Sequence, residues 1–370
     1  KYDLRSFISG NAELLAHKVT EHAGRTGEHY VAHDRLQYRQ MLRAAMGAGL
    51  VIAVMALIKI GMAKLKAAPL VEAFLFSINY SFGFMLVHVL HFTIATKQPA
   101  MTAAHIADAI HKGSGDEATV DSMANLAIKV FRTQFVAILG NVCVVMPTAW
   151  LIALAGYWIN GSHWVTPEKA LKLLHDIDPL QSLALFHAAI AGVCLFLAGL
   201  ISGYHDNTAI YHQIPERIAQ LPWLQRLLGK QRAERLGRYL GDNLGGLAGN
   251  FYFGIMLGSI GTLGYILGLP IDIRHITFSA ANFSYALVAL DHRIDLQTAL
   301  ASALGIVGIG AANLLVSFGL ALFVALKARG ARFGQKRALL RELLKRFLRA
   351  PGQFFLAPKN KTGNDPVVAR

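Results

Sequence analysis

The chain reads as an all-α protein, a polytopic transmembrane helix bundle of about six spans with a re-entrant or interfacial helix and amphipathic cytoplasmic helices. Three observations predict this. Of 370 residues, 54% are hydrophobic and only 16% charged, where an ordinary soluble domain carries about a quarter. Apolar runs of roughly twenty residues, enough to cross a hydrocarbon core of about 30 Å as helices, recur along the sequence. The basic residues behind a net charge of +14 gather between those runs, which is how cytoplasmic loops are marked. Disorder, collagen and disulfide scaffolds are excluded. The two cysteines, Cys143 and Cys194, lie inside apolar runs and read as small buried hydrophobes.

The first 43 residues, 1–43, form a polar cytoplasmic segment of helical character. The chain opens at Lys1 with neither a methionine nor a signal-peptide pattern, so it reads as a piece of something longer. The transmembrane domain follows over 44–326. Its first span, Ala44 to Ala63, sits between Arg43 and Lys64 and carries Lys59. The second, Leu70 to Ala95, holds Glu72, Asn79, His88 and His91, a polar load that must face other helices rather than lipid. The third, Phe135 to Tyr157, contains Asn141 and Pro147, and the proline predicts a kink near Met146. The fourth runs from Leu180 to Ile201 with His187 inside it. In the fifth, Leu244 to Leu267, Gly245, Gly249, Gly254, Gly258, Gly261 and Gly264 make small-xxx-small pairs that let helices approach closely. Leu296 to Leu326 is the last.

Ile276 to Leu290, bracketed by Arg274, His275, Asp291 and Arg293, is short for a crossing. Orientation decides its role. Arg25, Arg35, Arg39 and Arg43 precede the first span; Arg217, Arg226, Lys230, Arg232, Arg235 and Arg238 follow the fourth; the basic tail 327–370 follows the last. All three belong in the cytoplasm, with both ends on that side of the membrane. Counting Ile276 to Leu290 as a further crossing would put the most basic segment outside, so it is expected to be re-entrant or interfacial.

The connections have structure of their own. Ser114 and Glu117 have capping-box spacing before an amphipathic stretch to Gln134, and Pro99 to His111 reads as a helix, which gives a cytoplasmic helical hairpin over 97–134. Thr166 and Pro167 form a helix N-cap and first-turn proline in a loop whose Trp158 and Trp164 suit a lipid interface. In the amphipathic connection 204–243, Ile214 to Leu240 alternates Leu with Arg and Lys, as a helix lying on an anionic leaflet does. Arg226, Lys230, Arg235 and Arg238, with Arg337, Arg341 and Lys345 of the tail, are expected to hold anionic phospholipids.

Among the 15 histidines, His29 with His33 and His88 with His91 share helical faces, but two ligands do not make a metal site. His205, Asp206 and His212 are the better set because a carboxylate is included. No metal and no cofactor is expected. Intramembrane charge is the sharper signal, since Lys59 and Glu72 each lie about one turn inside the same outer boundary on adjacent spans. Two readings follow. They pair, with Glu72, Phe76, Asn79 and Gly83 lining a polar passage, or Lys59 snorkels outward while Glu72 reaches the headgroups. Hydrolytic chemistry finds no GxSxG elbow, and the HxxR spacing of His22 and Arg25 has a high chance rate in a chain so rich in both.

Gly27-Glu28-His29-Tyr30, Arg43 leading into a Gly/Ala-rich span, Ala95-Thr96-Lys97-Gln98-Pro99-Ala100-Met101-Thr102, Gly249-Asn250-Phe251, and Arg274-His275-Ile276-Thr277-Phe278 with Ala281-Asn282 resemble a family of large proteobacterial membrane proteins labelled "site-specific recombinase", after a gonococcal member. The similarity covers most of the chain, as the C-terminal membrane half of considerably longer proteins. By its label the resemblance implies DNA recombination; it carries over no catalytic residues. The residues themselves point to a non-enzymatic transport, lipid-handling or scaffold role, with anionic phospholipids, other membrane proteins or a second copy as partners and no specific nucleic acid. Strand exchange needs a nucleophile beside phosphate-activating groups, and a chain so committed to lipid leaves no compact domain to hold them.

Overall fold

The structure is a computed structural model that describes residues 32, 34–95, 116–328 and 333–358. Gly27 to Tyr30, His29 with His33, His22 with Arg25, the Pro99 to His111 arm and Ser114 lie outside the described residues. Among those described, helices α1 (Arg35–Ala63), α2 (Pro69–Val89), α3 (Asp116–Asn160), α4 (Pro167–His175), α5 (Ala184–Tyr211) and α6 (Ile214–Ala219) come first. They are followed by α7 (Pro222–Leu228), α8 (Lys230–Leu267), α9 (Ile276–Ala289), α10 (Leu296–Ala328), α11 (Phe333–Arg349) and α12 (Gly352–Phe355). Six of these, α1, α2, α3, α5, α8 and α10, are long and apolar enough to cross a membrane. The chain is a multi-pass membrane protein.

Several helices outrun their apolar runs, because a helix continues wherever its backbone bonds are satisfied and polarity alone does not end it. The Asp34 carboxylate accepts from the Gln37 N–H at 2.8 Å, so α1 begins nine residues before Ala44. The amphipathic stretch up to Gln134 belongs to the same helix as the third span, and the helical assignment of α3 continues through Pro147. Likewise Lys230 to Leu240 belongs to α8, which leaves only the short α6 and α7 as a separate connection. Thr166 caps α4 as its sequence demands, accepting from the Lys169 N–H at 3.4 Å with Pro167 in the first turn.

The second span is shorter than its apolar run. Its helix ends at Val89, and the chain reverses through His91 at φ 56°. Phe92 to Ala95 then folds back among the helices, where the Thr93 N–H donates to Ala44 O at 3.1 Å. The Phe92 ring occupies the space over Gly47, where a Cβ would stand 2.4 Å from it. Burial inside a bundle and burial in lipid leave the same mark on hydropathy, which is why the run reads as one span.

From the opposite face a second segment folds inward. The chain leaves α8 at Gly268, passes through Leu269 to His275 without helix, and turns back as α9. Every residue from His275 to Ala281 is buried, and α9 packs on α1, α3 and α4. It returns to the face it came from, where Asp291 meets His163 at 3.1 Å and the Trp150 indole N–H donates to His292 at 2.7 Å. Ile276 to Ala289 is therefore re-entrant. The face carrying the start of α1 is called here the near face, and that of α4 and the Ala63-to-Pro69 turn the far face.

Two buried asparagines reveal how these inward segments are held. Asn141, midway along α3, donates from Nδ2 to Ala45 O of α1 at 3.1 Å and to Thr93 O at 2.9 Å, and accepts at Oδ1 from the Ala95 N–H at 3.4 Å. Asn313, midway along α10, donates from Nδ2 to Ala188 O of α5 at 2.8 Å and to Arg274 O at 3.0 Å, and accepts at Oδ1 from the Ile276 N–H at 3.0 Å. In each case a third span ties a first span to a segment following the second. The contacts beside them match too. A Cβ on Gly49 would stand 2.9 Å from Asn141 O and 3.1 Å from Val144 Cβ; one on Gly192 would stand 3.2 Å from Asn313 O and 2.7 Å from Val316 Cβ. Helices α1, α2 and α3 thus form one unit and α5, α8 and α10 a second of the same build. An odd number of spans makes the second start from the opposite face, so the two units are inverted, the arrangement common in transporter folds.

The units meet along α2 and α8. Gly254 and Gly258 lie against the backbone of Ser81 and Ser77, and the Ser81 hydroxyl donates to Phe251 O at 2.7 Å. Beyond the near face, α11 and α12 fold onto the extension of α3. Arg346 pairs with Asp121 and Glu342, and Phe354 and Phe355 pack on Phe131.

Candidate functional site

Between the two units, on the far side, lies a cavity of about 550 Å³. Its walls come from α1, α2, α4, α8 and the inward segment 272–275, and its floor from α9. The lining runs from exposed Pro69, Lys172 and Tyr265 down to buried His275, Phe278 and Ser279, so its mouth faces the far side.

Each element delivers a charged group for a local reason. On α1, Lys59 lies about one turn before the helix end, and its ammonium rests over the rings of Phe76 and Tyr80, 5.2 and 5.5 Å from their centroids. The negative faces of aromatic rings hold a desolvated cation. Glu72 stands on the neighbouring wall in the first turn of α2, where a carboxylate suits the positive helix end. Lys59 and Glu72 form no ion pair, because the aromatic shelf of α2 holds the ammonium instead. The pairing gives way to an arrangement in which the two charges share one cavity.

Sequence reasoning passed over the rest of the cluster. Short helix α4 contributes Lys169 and Lys172, three residues apart and so on one face, with Asp176 at its end. From the inward segment, Arg274 pairs with Asp272 at 2.6 Å and Asp176 at 3.3 Å and donates to the Asp176 carbonyl at 3.0 Å. This joins α4 to the segment. Gly261 of α8 leaves room for Asp272, since a Cβ there would stand 2.6 Å from Oδ1. Burial alone would push the Asp272 carboxyl up, but Arg274 and Lys59 outweigh it and hold it below the usual carboxylate range. Burial likewise opposes the Arg274 charge, and the two aspartates more than restore it. His275 caps α9, accepting at Nδ1 from the Thr277 N–H at 3.4 Å, with its Nε2 3.3 Å from Ala95 O. The basic residues around Ile276 to Leu290 and the Lys-x-x-Lys of α4 were visible signals, but nothing in the sequence says that they meet.

The other candidates lie elsewhere. Asn79 donates to Met55 O at 2.9 Å and fastens α2 to α1. His88 sits at the near end of α2 within 3.1 Å of Asn243 Oδ1, and His91 is exposed in the turn that follows. His205 contacts Ile201 O within its own helix at 2.8 Å, Asp206 accepts from the Gly245 N–H at 3.0 Å, and His212 ends α5. Among the described residues no group of three or more His, Cys, Asp or Glu is placed to hold a metal ion. Arg226, Lys230, Arg235, Arg238, Arg337, Arg341 and Lys345 are all exposed on α7, α8 and α11.

Buried polar atoms without partners complete the picture. Asp206 Oδ2, where α5 meets α8, and Asn250 Oδ1 of α8 are enclosed in the near half, and neither atom has a hydrogen-bond partner. Such groups cost about 1–3 kcal/mol each. The far half is open and polar, and among the described residues these polar atoms of the near half are buried.

A family model described as site-specific recombinase matches residues 1–357. No curated protein and no solved structure matches the chain. With nearly its whole length covered by that match, the chain belongs to the site-specific recombinase family.

Proposed function

We propose that this protein is a membrane carrier that works by alternating access, with the far cavity as its binding site. The observation that carries the reading is the inverted pair of three-span units, each with an asparagine clamping an inward segment, around a polar cavity open to one side. Two units of one build in opposite senses have two equivalent ways to close, and rocking one against the other exchanges which side is open. The unpartnered Asn250 oxygen fits this, because parting α2 from α8 in the near half would give it water. We place the near face and both chain ends in the cytoplasm of a bacterial inner membrane, on the charge bias. There, the exposed basic residues of α7, α8 and α11 lie beside anionic phospholipid headgroups.

Single cysteines test the carrier reading in a background lacking Cys143 and Cys194. Ser279→Cys, at the cavity floor, should react with an impermeant maleimide from the far side, and Asn250→Cys from the near side at a lower rate. A cross-link between His88→Cys and Asn243→Cys should abolish the second reaction and spare the first. If Asn250→Cys never reacts, the cavity is a fixed one-sided pocket and the carrier reading fails.

DNA recombination, which the family's description names, is the second reading. It predicts a covalent protein–DNA adduct with supercoiled DNA, lost on replacing one Tyr or Ser. We expect none, and only salt-sensitive binding without site preference.

A further inference from the structure

Resting on the cavity being a binding site, we infer that its ligand is a compact organic anion, a carboxylate or phosphate on an apolar body, held by Lys59, Lys169 and Lys172. The seven ionisable Lys, Arg, Asp and Glu groups of the lining do not share their charge evenly. Arg274 is committed to Asp272 and Asp176, and the same contacts occupy those two carboxylates. That leaves Glu72 against three ammonium groups, none of which has a carboxylate within ion-pairing distance. The lysines also feel one another. Burial, then Lys172 and Lys59, pull the Lys169 ammonium below its usual range. An anion among the three relieves that repulsion and meets little competition, whereas a cationic ligand finds one free carboxylate.

The neutral part of the ligand is set by the rest of the wall. Phe76 and Tyr80 already support the Lys59 ammonium, and Phe278 packs edge-on against Tyr80 at 4.9 Å, which makes an aromatic shelf beside the charge. A volume of about 550 Å³ suits a small organic molecule. Lysines present point charges on flexible stems, suited to a phosphate or carboxylate head without fixing its orientation. The head could come from a soluble metabolite or from a lipid whose chains leave through the mouth.

The test uses the full chain in nanodiscs of neutral phosphatidylcholine at low salt, with binding read by calorimetry or native mass spectrometry. Phenyl phosphate and benzoate represent soluble anions, dioleoyl phosphatidic acid a lipid head, and phenethylammonium the opposite charge. At least one anion should bind and the ammonium should not; which anion binds tells the soluble source from the lipid. Lys169→Gln and Lys59→Met should each weaken binding about tenfold, and Lys64→Gln, outside the cavity, should not. Glu72→Gln should strengthen it severalfold, a gain that misfolding cannot mimic. Binding of the ammonium in preference to every anion, or an anion affinity unmoved by all three cavity variants, would overturn the inference, as would no anion binding at all. Anion binding without near-side reaction at Asn250→Cys keeps the site and removes the carrier; near-side reaction without anion binding does the reverse.

Discussion

Replacing Asn313 by alanine strips three partners at once, and they are not equal. Ala188 O lies inside α5 and keeps its intrahelical bond. Arg274 O and the Ile276 N–H belong to the turn between an irregular segment and α9, and the amide that held them at 3.0 Å has no substitute among neighbouring aliphatic groups. Leaving two such groups buried, with the small void of the lost amide, should cost about 3–5 kcal/mol. The equivalent change at Asn141 takes one partner each from Thr93 O and the Ala95 N–H. Since the latter bond is already long at 3.4 Å, about 2–4 kcal/mol is expected. Hydrogen exchange in nanodiscs separates the two. Asn313→Ala should speed exchange at Ile276 and spare Thr93 to Ala95, Asn141→Ala should do the opposite, and Asn313→Asp should be no better than alanine because its oxygens face two carbonyls. Unchanged exchange at Ile276 in Asn313→Ala, or a loss under about 1 kcal/mol, would refute the clamp.

Glycines on α10 supply a paired control: Gly305→Ala puts a Cβ 1.8 Å from Ile177 O and should lower the melting temperature by several degrees, whereas Gly319, with open space around it, should gain slightly as alanine. At Asp272 the folded pKa is depressed below 3.8, so its support is present above that pH and fades as pH falls through the lower, folded value. Acid unfolding of Asp272→Asn, followed by fluorescence, should therefore lack that limb while starting from lower stability at neutral pH. For topology, cysteines at Ser162 and Arg341 should react with an impermeant maleimide from opposite sides, and same-side reaction would rule out the arrangement. Neutralising Arg226, Lys230, Arg235 and Arg238 should reduce retained phosphatidylglycerol or cardiolipin in native mass spectra by half or more, leaving zwitterionic lipid unchanged.

Hydropathy made the six spans and the re-entrant helix legible, since length and the bias of Arg and Lys both act locally along the chain. What it could not convey is depth inside the bundle. Phe92 to Ala95 is as apolar as a span and turns back among helices, and Asp116 to Gln134 is polar yet continues one. Lys59 and Glu72 were visible as intramembrane charges, but Lys169, Asp176, Asp272 and Arg274 join them only because α4 and the 272–275 segment converge from distant parts of the sequence. The relation between the units was harder still. It rests on Ala45 and Gly49 with Ala188 and Gly192, and Asn141 and Val144 with Asn313 and Val316, a handful of small and polar residues scattered through two pairs of otherwise apolar spans.

The matched clamps have a consequence for how a bilayer is felt from within. Asn141 and Asn313 perform one piece of chemistry in opposite senses, so a lipid composition that differs between leaflets acts on two nearly identical reporters in a single molecule. A vesicle with thickened or charged lipid on one side only should loosen one clamp and spare the other, and reversing the asymmetry should swap them.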